Sequence, residues 1–183
     1  MTLTTQPEDI LNFWFEESDP EQHFNGGEAF DKEIWDRFQE TVEAAKRCEL
    51  WTWRKTVQGR LAEIIVLDQF SRNVYRNDVR AYSSDPMACV LAQELIQDDN
   101  FDQLSEDEKQ FALMPFMHSE SLRIHEELAM PCFEKLGNQE ALHYEIRHIE
   151  QIEKFGRYPF RNAVLGRKST ADEKAFMETE ESF

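Results

Sequence analysis

Basic residues are scarce in this chain of 183 residues: 20 lysines and arginines stand against 37 aspartates and glutamates, for a formal net charge of -17. A field of that sign repels polyanions, which excludes bulk affinity for nucleic acid or for an anionic membrane surface. Long apolar runs are also missing. No 18 consecutive apolar residues exist to span a bilayer, and the opening MTLTTQPEDI has no basic segment leading into an apolar one, as a standard secretion signal would. Cysteine occurs only at Cys48, Cys89 and Cys132. An odd, widely spaced set predicts reduced, mostly buried thiols, and with the missing signal it makes a cytoplasmic location the expectation. Six glycines and six prolines are few for a fold of many tight turns and short strands, which leans the reading towards helices. No glycine-rich phosphate loop or dinucleotide fingerprint is present, so no cofactor is expected.

Bulky apolar residues are abundant, with fourteen Phe and four Trp, and the length suits one domain over residues 1–183 with a continuous core. Thr5-Gln6-Pro7-Glu8 reads as a capping box opening a short helix through Ile10, Leu11, Trp14 and Phe15. The stretch ESDPEQHFNGG reads as loop, with His23 at the surface. Phe30, Ile34, Phe38, Val42 and Ala45 repeat at helical spacing with charges between them, and Trp51 and Trp53 follow in a connection. Residues 57–72 read as a central buried helix on which Asp68 faces Arg72 and Gln69 faces Asn73, Asn73 capping its end. Further helices start at Asp85-Pro86, at the Ser105/Glu108 capping box and near Ser119, with Pro115 disturbing the second and Pro131 kinking or dividing the third. Gly137-Asn138 turns the chain into a last long helix ending at Gly156, and Thr170 with Glu173 caps a short final one before an acidic tail that frays from about residue 178. The sum is an all-α fold of seven to eight helices in antiparallel pairs.

Positive charge is concentrated against the general trend. Residues 147–168 hold six basic residues and two acidic ones, and residues 54–80 hold six and three. Within FGRYPFRNAVLGRKST, residues 155–170, three arginines and a lysine have no acid among them. If the two islands meet, Asp68, Gln69, Arg72, Asn73, Arg157, Arg161, Asn162 and Arg167 would form a pocket of guanidinium forks and amides suited to carboxylate or phosphate. The competing reading makes the same arginines struts that tie an irregular loop to helix ends and buried carboxylates. His118 and Glu120 are an acid and base candidate pair, while Ser119 reads as a helix cap. Glu145 and His148 have the helical spacing of a di-iron ligand pair, but no second such pair exists, so no metal is expected and His148 remains a candidate base.

Four ordered motifs, LDQFSRN from Leu67, PFMHSE from Pro115, His148 seven residues before FGRYPFRN, and LGRKST from Leu165, resemble the bacterial domain-of-unknown-function family numbered 924. That resemblance extends from Phe13 through Phe176 and implies a tetratricopeptide-like superhelical arrangement with a shared polar cluster. It carries no established reaction. The chain departs from the family pattern at Ser71, where Pro is usual, and at Phe160, where His is usual; a catalytic role of that His would be lost here. The expectation is a small anionic ligand or an acidic peptide bound in the polar groove. The alternatives are a hydrolase or transferase using His118 or His148, and a scaffold with structural arginines.

Overall fold

The computed structural model describes residues 4–180, so the end of the acidic tail expected to fray lies outside the described residues. Among the described residues there are nine helices and no strand. Helix α1 covers residues 7–17, an α-helical part Pro7–Asn12 continued by a π turn Phe13–Glu17. It is followed by α2 Pro20–Asn25 and α3 Gly27–Lys46. Helix α4 covers residues 57–74 as Val57–Ile65, a π turn Val66–Phe70 and Ser71–Val74. Then come α5 Asp85–Leu95 and α6 Glu106–Met117. Helix α7 covers residues 122–136 as Leu122–Ile124, a π turn His125–Ala129 and Met130–Leu136. The last two are α8 Gln139–Phe155 and α9 Ala171–Thr179.

Helix α4 packs against α1, α3, α5 and α6, and the later helices stack each on its predecessor, α6 on α5, α7 on α6 and α8 on α7. This succession is compatible with tetratricopeptide-like stacking. Its consequence for α4 is burial all round: each of its five π-turn residues is at most 6% exposed. Phe13, Trp14, Phe30, Phe38 and Phe70 meet in one aromatic cluster, with Phe38 and Phe70 at 5.2 Å and Phe13 and Phe38 at 5.0 Å. Aromatic residues of this size contribute most of the apolar area removed from water.

The three π turns have local causes. Ser18 donates both its backbone N–H (3.0 Å) and its hydroxyl (2.7 Å) to Phe13 O, five residues back. Ser71 donates its hydroxyl to Val66 O across the same interval. In α7 the π turn ends two residues before Pro131, which has no N–H and whose ring would crowd the carbonyl four residues earlier. A widened turn absorbs that conflict: the chain stays helical through Pro131 but passes from π to α geometry at Met130, so the proline marks a division within the helix. Pro115 likewise stays inside α6, which continues to Met117.

Several expectations are corrected. The first helix starts one residue later than read, with Gln6 N–H donating to Asp9 Oδ2 at 2.8 Å. Residues 20–25 are a helix and not a loop, because Asp19 N–H donates to Gln22 Oε1 and Pro20 preorganises the first turn. His23 is half-buried, stacked 4.2 Å from Trp14 with Nε2 2.7 Å from Trp14 O, and is not a surface residue. Helix α7 starts at Leu122 and not at Ser119. Cys89 is buried and Cys132 intermediate, but Cys48 is exposed. Trp53 packs in the core at 8% exposure, whereas Trp51 is 63% exposed.

The start of α4 depends on one close approach. The turn Trp53–Lys55 crosses the first turn of α4, and a β-carbon on Gly59 would overlap Trp53 O. The same turn places Arg54, which forms a two-pronged ion pair with the buried Glu63 at 2.7 Å on both prongs. Gly→Ala in an open helix stabilises by about 1 kcal/mol. Here the sign reverses: Gly59→Ala is expected to cost about 2 kcal/mol, the scale of overpacking a tight interior, as read by urea unfolding.

Candidate functional site

The π turn of α4 directs Asp68 into the interior, where it is 0% exposed. Its Oδ1 lies 2.7 Å from His118 Nδ1 and 3.0 Å from Arg72 Nη1, and its Oδ2 accepts from Gln69 Nε2. Burial opposes the charge, but Arg72 and His118 outweigh it and hold the carboxyl far below the usual range, so Asp68 is ionised. Arg72 also donates to Asp68 O at 2.7 Å and to both oxygens of Asp85 at 3.0 and 3.1 Å. Asp85 in turn accepts from Arg161 Nη1 at 3.3 Å. Charge therefore alternates along Asp68, Arg72, Asp85 and Arg161, and the two basic islands meet through the shared Asp85.

The turn that carries His118 is held at four consecutive residues. Tyr158 donates its hydroxyl to Met117 O at 2.6 Å, and Arg161 Nη1 donates to His118 O at 3.0 Å. His125 Nε2 lies 2.8 Å from Ser119 O. Glu120 accepts from Tyr158 N–H and from both Nη atoms of Arg167, at 2.7 and 2.9 Å. Ser119 Oγ accepts from Ser121 N–H at 3.2 Å, so this hydroxyl orders the turn itself.

A cleft of about 460 Å³ opens beside this cluster, lined by the polar groups of Asp85, His118, Glu120 and Arg161 and by Val79, Tyr82, Pro86, Cys89 and Leu165. His118 is pushed below the ordinary histidine range by burial and by the Arg72 cation, against the pull of Asp68. It is thus neutral at pH 7, and because Nδ1–H donates to ionised Asp68, Nε2 carries the lone pair. No protein group hydrogen-bonds to that Nε2 among the described residues. Burial and the neighbouring Arg72 pull Arg161 below the ordinary arginine range, whereas Arg72 is raised by Asp68 and Asp85. Arg161 lies against the Tyr82 and Tyr158 rings at 4.9 and 4.4 Å, and its hydrogen bonds use Nη1 alone.

Not every residue read from the sequence comes to this cleft. Arg157 donates to the buried Glu173 at 2.6 and 2.9 Å and to Lys168 O, away from the cleft. Asn162 is buried and donates to Ser169 Oγ at 3.1 Å. Asn73 does not cap its helix or meet Gln69; it donates to Asp31 Oδ1 at 2.8 Å on α3. His148 Nδ1 is 2.7 Å from Tyr144 O, and its ring stands 6.5 Å from that of His118. Glu145 is not its partner: Glu145 Oε1 lies 2.6 Å from His125 Nδ1, with both side chains at 0% exposure. Burial raises the Glu145 carboxyl. Among the described residues no group of three or more His, Cys, Asp or Glu is placed to hold a metal ion.

Sequence reading missed Asp85, Tyr82, Tyr158, His125 and Glu145 as parts of this cluster. Asp85 was legible only as a helix start, the tyrosines carry no spacing signal in their loops, and His125 occupies an apolar position of α7. Phe160, at the position of the usual family His, packs against Phe176 at 6.1 Å and does not line the cleft.

The model of a bacterial protein family of unknown function, DUF924, matches residues 10–181. The chain belongs to that family. A solved structure of a protein of unknown function from Agrobacterium tumefaciens, ATU0120, is similar over 95% of this chain and 97% of its own, with 34% identity and a TM-score of 0.89. No curated protein matches the chain. Among the described residues no helix is long and apolar enough to cross a membrane.

Two predictions follow from the charge cluster. Removing one member of a buried ion pair leaves its partner uncompensated, so Arg72→Met is expected to destabilise by about 3 kcal/mol in denaturant unfolding. His148 is lowered from 6.5 to about 3, chiefly by burial, so the unfolded chain binds its proton first. Stability then falls as pH drops from 6.5 towards 3, by up to about 1.4 kcal/mol per pH unit from this residue. His118 and His23, also lowered by burial, act with the same sign, whereas the raised Glu145 acts oppositely above pH 4.5. Unfolding free energies measured across that window should show a shallower slope in His148→Phe.

Proposed function

We propose that the cleft binds a small ligand bearing one anionic group and one hydrogen-bond donor. The anion sits on the Nε and Nη2 edge of Arg161, and the donor points to Nε2 of His118. The observation that carries this reading is that one cleft is lined by a half-buried arginine whose internal hydrogen bonds use Nη1 alone and by a neutral histidine whose outer nitrogen has no protein partner among the described residues. Arg72, Arg157 and Arg167, by contrast, are each paired within the protein as struts. The volume favours a small molecule over an acidic peptide. The scaffold alternative has less support, since Trp53 is core and cannot line a groove, leaving only Trp51 of the two exposed.

A second reading, a hydrolase or transferase, is favoured by the Asp68–His118 hydrogen bond of 2.7 Å. An ionised carboxylate that fixes the tautomer and orientation of a neutral imidazole is the arrangement of a general base. In that role His118 Nε2 would take a proton from a ligand hydroxyl or a bound water.

Thermal unfolding in the presence of glycolate, N-acetylglycine and inorganic phosphate tests the site. A ligand at 100 times its dissociation constant is expected to stabilise by about 2.7 kcal/mol, with the effect absent in Arg161→Gln and reduced in His118→Leu. Binding should weaken as pH falls through the lowered His118 pKa, since protonated Nε2 becomes a donor; an anion held by charge alone would tighten instead. If no anion in this set stabilises the protein, the proposal fails.

A further inference from the structure

Given that the cleft binds an anion through Arg161, we infer that its ligand is a monocarboxylate with an apolar body, of the class of apolar hydroxy acids or N-acylated amino acids, and not a phosphate ester or a dicarboxylate. The argument begins with charge. Asp68, Asp85 and Glu120 stand opposite Arg72, Arg161 and Arg167, three carboxylates against three guanidinium groups, with His118 neutral. Two of those carboxylates, Asp85 and Glu120, line the cleft itself, and Arg161 is the single guanidinium that does. Only its Nε and Nη2 edge is left by the internal hydrogen bonds, since Nη1 is taken by Asp85 and by His118 O. That edge is a planar two-donor fork, which matches the two oxygens of one carboxylate.

A second negative charge has no place. A phosphate dianion or a second carboxylate would stand close to Asp85 and Glu120 with no further cation lining the cleft, at a depth where like charges are poorly screened. Arg167 offers no relief, because both its Nη atoms are bound to Glu120.

The apolar lining supplies the rest of the specificity. Val79 is 54% exposed although apolar, and with Tyr82, Pro86 and Leu165 it gives the cleft an apolar flank beside the polar groups. A ligand with its carboxylate on Arg161 and its donor on His118 would lay its remaining atoms along this flank. The donor follows from the lone pair on His118 Nε2: a hydroxyl or an amide N–H beside the carboxylate meets it, while a plain fatty acid has none to give.

Isothermal titration with matched series tests this. The arms are N-acetylglycine, N-acetylalanine, N-acetylvaline and N-acetylleucine; the hydroxy acids glycolate, 2-hydroxybutanoate and 2-hydroxyhexanoate; hexanoate; and malate, glycerol 3-phosphate and inorganic phosphate. Affinity is expected to rise about fourfold for each added methylene in either donor-bearing series. Hexanoate should bind at least tenfold more weakly than 2-hydroxyhexanoate, and the doubly charged ligands at least tenfold more weakly than the best monocarboxylate. Steeper gain in one series than in the other identifies which source of the donor the cleft takes. Leu165→Asn should flatten the gain with chain length, and this surface-flank change keeps the test alive where Arg161→Gln does not fold. Tight binding of phosphate or malate that is lost in Arg161→Gln would overturn the monocarboxylate class while leaving the anion site standing. A flat response to chain length would overturn the apolar flank. No binding in any arm would remove the site itself.

Discussion

A carboxylate without access to water governs the middle of this protein. Asp68 is fully buried on the most buried helix, and an ion in such a place persists only when opposite charge and hydrogen bonds reach it from its neighbours. Arg72 supplies the charge from one turn along the same helix, His118 the hydrogen bond from the end of α6, and Gln69 a further donor. Compensation does not stop there, because Arg72 is shared with Asp85 at the start of α5 and Asp85 with Arg161 on the loop after α8. One buried charge thus ties four separate parts of the chain together, and the cleft lies where that chain of charges reaches the surface.

The same constraint accounts for the His118 turn. A histidine that must present Nδ1 to Asp68 cannot be left on a mobile connection, and polar groups on α7, on the 158–161 turn and on Arg167 grip residues 117 to 120 one after another. The buried His125 and Glu145 act through this grip, by holding the Ser119 carbonyl. Arg157 and Glu173, 28% and 2% exposed, close the last helix onto the loop in the same manner. Struts and site are therefore not exclusive: most of the arginines are spent on the fold, and Arg161 is left with an edge to spare.

Much of the fold was legible because helix spacing and capping are local. The Phe30 to Ala45 periodicity, the Ser105/Glu108 and Thr170/Glu173 boxes, the turn at Gly137-Asn138 and the helix end at Gly156 all stand in the structure. The π turns were not, since a hydroxyl five residues downstream or a proline past a widened turn leaves no apolar period. Short α2 was hidden for a similar reason: with none of its residues buried, it has no core stripe to read. The pairing of Asp68 with Arg72 could be read from four-residue spacing, and the meeting of Arg72 with Arg161 was a guess from charge alone that Asp85 turned into geometry. The Glu145 to His148 spacing misled, because burial and the register of α7 against α8 gave Glu145 to His125 instead.

Nitrogen NMR of the protein labelled at its histidine rings tests the central claim most directly. The account predicts that at pH 7 His118 carries a single ring proton, on Nδ1 towards Asp68, with Nε2 unprotonated and sensitive to added ligand. A doubly protonated His118 at that pH, or the opposite tautomer with the proton on Nε2, would contradict it: the cleft would then hold a cation or a donor where the account places an acceptor.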